Sequence, residues 1–393
     1  MNRIKKPSLF ILILMVSLGP FGDTIYAPAL PEIEKLLHTD YAYVQLTITS
    51  YLLGYAVSQL LYGPFSDRYG RKKVILVGSL FFIISSIICL YSHSIDTLIY
   101  GRLLQGFGAA AGGVIATVAV KDAFEIEKQG SIFAIMNIAF ALAPAIGAII
   151  GVFIQAHVIF LVLLGAALFL FIKVLLFFPE TNRNLNKDAL KTKHFVRNYL
   201  VLFKDHQFVV ATLLLGLNIS IIYGCLVEIP DILLNKLHLD KIKFLHFLIL
   251  IVSAVIIGSL ICARLSKSVP YKNLITTGML ISLLSGFLCS FIFKHLDGMW
   301  LMFGLTFVLS LTFVGVSFTV PLLTPIALEN FNDTAGAASS IMGFSQMGIA
   351  SLTTAIMSQL TFSTETTLSL AFIILPLIGL LIFIPYSCYF LKK

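Results

Sequence analysis

Two oppositely charged side chains fall inside apolar stretches of this chain at similar depth. Asp23 lies about 15 residues, roughly 22 Å along a helix, from the start of the run near 8–29. Arg102 lies about 6 residues, roughly 9 Å, into the run near 96–119. If the two runs cross a membrane in opposite directions, both charges sit in the outer third. A buried carboxyl resists ionisation, and a nearby arginine favours it. A group held between these effects can accept a proton on one side of a barrier and release it on the other. An Arg at such depth costs about 2.5–3.5 kcal/mol to insert and ordinarily faces an interior partner. The plain alternatives are an Asp at a wet helix end and an Arg snorkelling outward. Tyr26 and Gln105, in the same two segments, join the candidate set, as does Asn137 in the fifth run. Tyr51, Tyr55, Gln59 and Tyr62 share one face of the second run. A lipid-facing stripe rarely includes Gln, so this face is expected to line a cavity; helix packing is the alternative.

A second constellation is structural rather than chemical. Gly63-Pro64-Phe65-Ser66-Asp67-Arg68-Tyr69-Gly70-Arg71-Lys72-Lys73 forms a charged turn between runs near 44–62 and 74–92 that hold no charge. Asp67 and Arg71 are four apart and face each other if the turn is helical. Gly70 permits a backbone conformation costly for other residues. The basic residues, Arg68 among them, are expected to meet lipid headgroups and fix topology. In the fifth run, Pro144 removes a backbone hydrogen bond and lets a helix bend. Gly147 and Gly151 allow a neighbouring helix close.

The elements that must position these residues are long helices. The chain of 393 residues is 58% hydrophobic and 12% charged, against about 25% charged in an ordinary soluble protein. Apolar runs lie near 8–29, 44–65, 74–92, 96–119, 131–153 and 158–178, then near 207–229, 244–264, 273–293, 299–323, 336–360 and 367–390. Each suffices to cross about 30 Å of hydrocarbon. The long polar segment 179–206 divides them, giving bundles at 1–178 and 207–393. Arg3, Lys5 and Lys6 before the first run mimic a signal peptide. No cleavage-like site follows, so the run is expected to be a retained span. Most Lys and Arg fall on the side of both termini and the linker, and the opposite loops hold Lys35, Lys236, Lys241, Lys243 and Lys294. That asymmetry places both termini in the cytoplasm. Glu228 and Asp231, flanking Pro230, are expected to be interfacial caps, and Lys173 to snorkel.

The composition excludes several classes. The formal charge of +8 could suggest nucleic acid, but the basic residues sit in short loops, so none is expected as a partner. The five cysteines fall in apolar runs without metal-ligand spacing, and no metal site is expected. No P-loop, nucleophile elbow or His-Glu-x-x-His spacing appears, so neither an enzyme nor an ATP-driven pump is expected.

The turn G-x-x-x-D-R-x-G-R-K resembles the signature loop between helices 2 and 3 of the major facilitator superfamily. The run Arg102-Leu103-Leu104-Gln105-Gly106-Phe107-Gly108 is similar to the family's fourth-helix motif. Asp23 through Pro31, D-x-x-x-P-A-L-P, resembles the first helix of the Bcr/CflA-type drug-resistance exporters. Asn137 through Gly151 resembles the antiporter motif, with Ala143 before Pro144 where Gly is usual. The stretch 336–346 is also similar to Bcr/CflA members. The resemblance implies an all-α membrane protein of twelve helices in two pseudo-symmetric bundles. It implies proton-coupled export of small organic molecules or drugs by alternating access, from a bacterial inner membrane, by a monomer. No organic cofactor is implied beyond the proton gradient. It also implies that Arg102 serves proton transfer or binding, and that Asp67 and Arg71 latch the cytoplasmic side, with Gly63, Arg68 and Gly70 shaping that turn. Other readings are a dedicated metabolite or siderophore exporter, a proton-coupled importer, and, from another class, a channel or transporter-derived sensor.

Overall fold

A computed structural model describes residues 6–182, 185, 201–331 and 335–390. Arg3, Lys5, Arg183, Lys187, Lys191, Lys193, Arg197, Lys392 and Lys393, which carry part of the charge asymmetry, lie outside the described residues. So does the side chain of Cys388.

Helices dominate because a chain this apolar must satisfy its backbone internally wherever water is absent. The first span is α1, Leu9–Thr24, then a 3₁₀ turn, Ala27–Ala29, and α2, Leu30–Leu36. Pro28 and Pro31 each sit at the start of one of the last two pieces, where a missing N–H costs nothing. Asp23 therefore lies in the final turn of α1. Next come α3, Tyr41–Tyr69; α4, Arg71–Leu90; α5, Ile95–Ala123; α6, Ile126–Phe153; and α7, Ala156–Phe177. The second half holds α8, His206–Pro230, a π-helical turn at Asp231–Lys236, and α9, Lys241–Leu265. It continues with α10, Tyr271–His295; α11, Gly298–Leu328; α12, Ala335–Gln359; and α13, Thr364–Phe390. Starts carry polar caps: Ser94 Oγ accepts from the Thr97 amide, Asp205 Oδ1 from Phe208 and Asp240 Oδ1 from Lys243.

Ten helical segments are long and apolar enough to cross a membrane among the described residues. Tyr41–Tyr69 and Ala335–Gln359 are of comparable length but richer in polar and small residues. Large apolar side chains such as Leu176, Phe291 and Trp300 stand exposed, as a surface meant for lipid requires. The expected loop at 63–73 needs correction. α3 runs through Tyr69 and α4 starts at Arg71, so Gly63, Asp67 and Arg68 are helical and only Gly70 breaks the path.

The chain forms two compact units. One covers Met1–Val201 with Thr334–Phe344, and the other Leu202–Asp333 with Ser345–Lys393. In the first unit α5 packs on α1, α3 and α4, α6 on α1, and α4 on α7. In the second, α11 packs on α8, α9 and α10, and α10 on α13. The fourth helix of each half is thus its hub.

Candidate functional site

Asp23, Tyr26, Arg102 and Gln105 come together inside the first unit. Arg102, on α5, is 0% exposed. Its guanidinium lies between two aromatic rings, with Cζ 4.4 Å from the Tyr26 centroid and 4.2 Å from that of Tyr51. Nη1 donates to the Gly22 carbonyl at 3.2 Å and to Gln105 Oε1 at 2.5 Å. Gln105 Nε2 donates in turn to Ser86 Oγ on α4 at 2.8 Å. The aromatic walls are also fixed. The Tyr26 and Thr47 hydroxyls share a 2.8 Å hydrogen bond, and Tyr51 Oη donates to the Gly19 carbonyl at 2.8 Å. Cation–π contact is worth about 2 kcal/mol or more when desolvated, so two rings offset part of the cost of burying this charge. Arg102 Nε and Nη2 have no hydrogen-bond partner among the described residues, so the guanidinium keeps donor capacity in reserve.

Asp23 is 2% exposed and follows the Gly22 carbonyl that Arg102 holds. Acid and base are therefore linked through the Gly22 peptide. Matching depth is the sequence signal for the pair. Tyr51 as a wall of the guanidinium carries no such signal, because its spacing groups it with a cavity stripe.

That stripe divides. Tyr51 and Tyr62 are buried, and Tyr62 packs against Phe107 with centroids 5.6 Å apart. These two side chains thus pack within the unit. Tyr55 is also buried, where a Cβ added to Gly19 would run into its ring. Gln59 is half-buried and Asn137 exposed.

Within the charged turn Arg71 is drawn into a network, while Arg68 and Lys73 stay exposed. Arg71 is 5% exposed. Its Nη1 donates to Asp67 Oδ1 and to Ser66 Oγ, both at 2.5 Å, and its Nε to Asp122 Oδ2 at 2.9 Å. Glu180, just beyond α7, caps α4. Its Oε1 accepts from the Arg71 amide at 2.9 Å and its Oε2 from the Lys72 amide at 3.1 Å. A carboxylate at a helix N-terminus also meets the positive end of the dipole. Gly70 has φ +96°, and a Cβ there would lie 2.5 Å from Glu180 Oε2. Glycine is required twice, for the backbone and for the cap. Every partner named belongs to the first unit. Arg68 is exposed over the Tyr69 ring, 5.3 Å from its centroid. Asp122 and Glu180 are additions from the fold. Their only sequence signal is an acid at the end of a span where basic residues prevail. Near them Glu125 is held below the usual carboxylate range, first by hydrogen bonding from Lys128, then by the charges of Lys128 and Lys6.

Gly147 and Gly151 seat α6 on the end of α1. A Cβ at Gly147 would meet Thr24 Oγ1 and come within 3.0 Å of the Phe21 carbonyl, and one at Gly151 would run into the Ile25 carbonyl. Bulk at 147 would therefore press on the turn that carries Asp23. Pro144, one turn earlier, is half-buried inside an unbroken α6. Gly147→Leu is expected to cost about 1–3 kcal/mol by overpacking and to uncouple proton movement from transport. Proton flux in proteoliposomes with and without substrate checks this. Tight coupling in the variant would make the seam ordinary packing.

In the second unit the acids at the end of α8 pack inside the protein. Glu228 and Asp231 are both buried. Asp231 accepts from Thr364 Oγ1 at 2.7 Å and Asn235 Nδ2 at 3.0 Å, while Lys236 Nζ lies 2.7 Å from both Glu365 oxygens. The π-helical turn and α13 are tied together there. Asn218 is satisfied by Thr319 Oγ1 at 2.7 Å and the Leu214 carbonyl at 2.8 Å, which is packing. Ser345 and Gln346 are half-buried.

The sequence profile described as Major Facilitator Superfamily matches residues 12–355. A bicyclomycin resistance protein homolog of Haemophilus influenzae is 30% identical over 379 residues, covering 90% of this chain and 89% of that one. Multidrug resistance protein D of Escherichia coli is 29% identical over 345 residues, covering 85% and 84%. A crystal structure of a D-xylose–proton symporter superposes with a TM-score of 0.75 over 94% of this chain and 96% of that one. At 13% identity that likeness bears on the fold.

Proposed function

This chain belongs to the Major Facilitator Superfamily, and we propose that it exports small organic molecules from the cytoplasm in exchange for protons. The family consists of membrane transporters of small molecules, not enzymes. The drug-resistance names of the relatives support a drug-like substrate. The observation that carries the proton coupling is the buried cluster in which Arg102, held between Tyr26 and Tyr51, grips α1 at Gly22 beside Asp23.

Protonating Asp23 removes a negative charge one residue past the Gly22 carbonyl that Arg102 holds. The balance around the guanidinium then shifts, and so does its pull on α1. Because α6 is seated on the end of α1 at Gly147 and Gly151, that pull is passed to a second helix. Alternating access needs such a conversion of proton occupancy into helix movement. One proton supplies about 1.4 kcal/mol per pH unit and about 2.3 kcal/mol per 100 mV. No organic cofactor is needed. The protein works as a monomer in a bacterial inner membrane with both termini cytoplasmic.

The test is a panel of fluorescent or radiolabelled compounds in proteoliposomes with an imposed pH gradient. Saturable accumulation that collapses with a protonophore is expected. Flux that never saturates would favour a channel, and accumulation indifferent to the protonophore would end the proton-coupled reading.

A further inference from the structure

Lys173 is a charge on the membrane-facing side of α7 that the transport reading does not use. Around it Ile172, Leu176 and Phe177 are 49%, 63% and 62% exposed. Its Nζ lies 5.3 Å from the Phe169 centroid and 5.3 Å from that of Phe177, one helical turn to either side. The rings orient the ammonium but do not neutralise it. No carboxylate or carbonyl is bonded to Nζ among the described residues. An uncompensated charge in hydrocarbon is expensive, so the counter-ion must come from the bilayer. Depth fits: Lys173 is about 6 Å from the end of α7, within reach of the headgroups for a side chain that snorkels. Beside it, Phe10 at the start of α1 packs edge-on against Phe169 at 6.4 Å, so α1 and α7 present one apolar wall to an acyl chain.

We propose that Lys173, framed by Phe169 and Phe177, binds the headgroup phosphate of an anionic phospholipid whose chain lies along this wall. The lipid is net anionic because a choline or ethanolamine group would compete with Lys173 for its own phosphate. The site is independent of what the protein transports.

The experiment is native mass spectrometry of the delipidated full chain, titrated with phosphatidylglycerol or with phosphatidylcholine of the same acyl chains. Lys173→Met should weaken the tightest phosphatidylglycerol adduct about fivefold, while Lys173→Arg should keep it. Phosphatidylcholine should bind wild type and Lys173→Met alike. Lys173→Met removes a charge from a lipid-facing position, so it should fold normally. Equal retention of phosphatidylglycerol by wild type and Lys173→Met would overturn the site. So would a loss in Lys173→Arg as large as that in Lys173→Met.

Discussion

Asp23→Asn is expected to give a folded, inserted protein that no longer moves substrate uphill. The amide keeps the shape of the carboxyl and can still donate and accept hydrogen bonds, so the end of α1 and its seat on α6 should survive. What disappears is a charge that protonation can switch. In wild type that charge lies one residue past the Gly22 carbonyl held by the guanidinium stacked on Tyr51. In the variant the surroundings of Arg102 are fixed in one state. One exchanged proton can sustain roughly a tenfold substrate gradient per pH unit; once the switchable carboxyl is gone, accumulation should vanish and leave equal concentrations on both sides, with binding retained. Substrate accumulation under an imposed pH gradient, alongside equilibrium binding to the same preparation, separates coupling from recognition. Undiminished accumulation by the variant would remove Asp23 from the proton path.

What the sequence discloses, and what it hides, follows from the range of the interactions. Spans are legible because each is a local apolar run of the length a bilayer demands. The Asp67–Arg71 pair is legible because its two members are four residues apart. Asp122 and Glu180, 51 and 109 residues from Arg71, leave no local trace; they join it only once α5 and the end of α7 have packed against α4. The helical state of residues 63–69 is obscured by their charge, which reads as a turn although the backbone stays helical to Tyr69. Arg102 announces itself by its cost in an apolar run, but its aromatic walls come from α3 and from the segment just past α1. Tyr51 could equally have faced a cavity, since periodicity groups residues on a face without saying what that face meets. Gly147 is legible as a close-packing position, while its partner, the turn that carries Asp23, depends on the fold.

Arg71→Met is expected to have the largest structural effect of any single change at the end of the first unit where α3 meets α4. The side chain is 7% exposed and ties Asp67 on α3 to Asp122 on α5, with Ser66 as a third acceptor. Methionine fills much of the space but leaves two carboxylates facing each other without a cation. Removing one member of a buried ion pair costs about 3–5 kcal/mol. Here Asp67 and Asp122 are 48% and 23% exposed, so water relieves part of that and the lower end applies. The Glu180 cap uses the backbone amides of residues 71 and 72, so it survives the substitution and α4 should still begin at the same place. The damage should thus be loss of registry among α3, α4 and α5 rather than unfolding of α4. Three readings follow from one preparation: a lower melting temperature, slower turnover, and little change in substrate affinity, since Tyr26, Tyr51 and Arg102 are untouched. Arg71→Lys should recover part of the stability, since it restores a cation but cannot reach three acceptors with a planar fork. Wild-type stability and turnover in Arg71→Met would mean that the network is an incidental surface feature. Lost affinity with unchanged stability would place Arg71 in recognition instead.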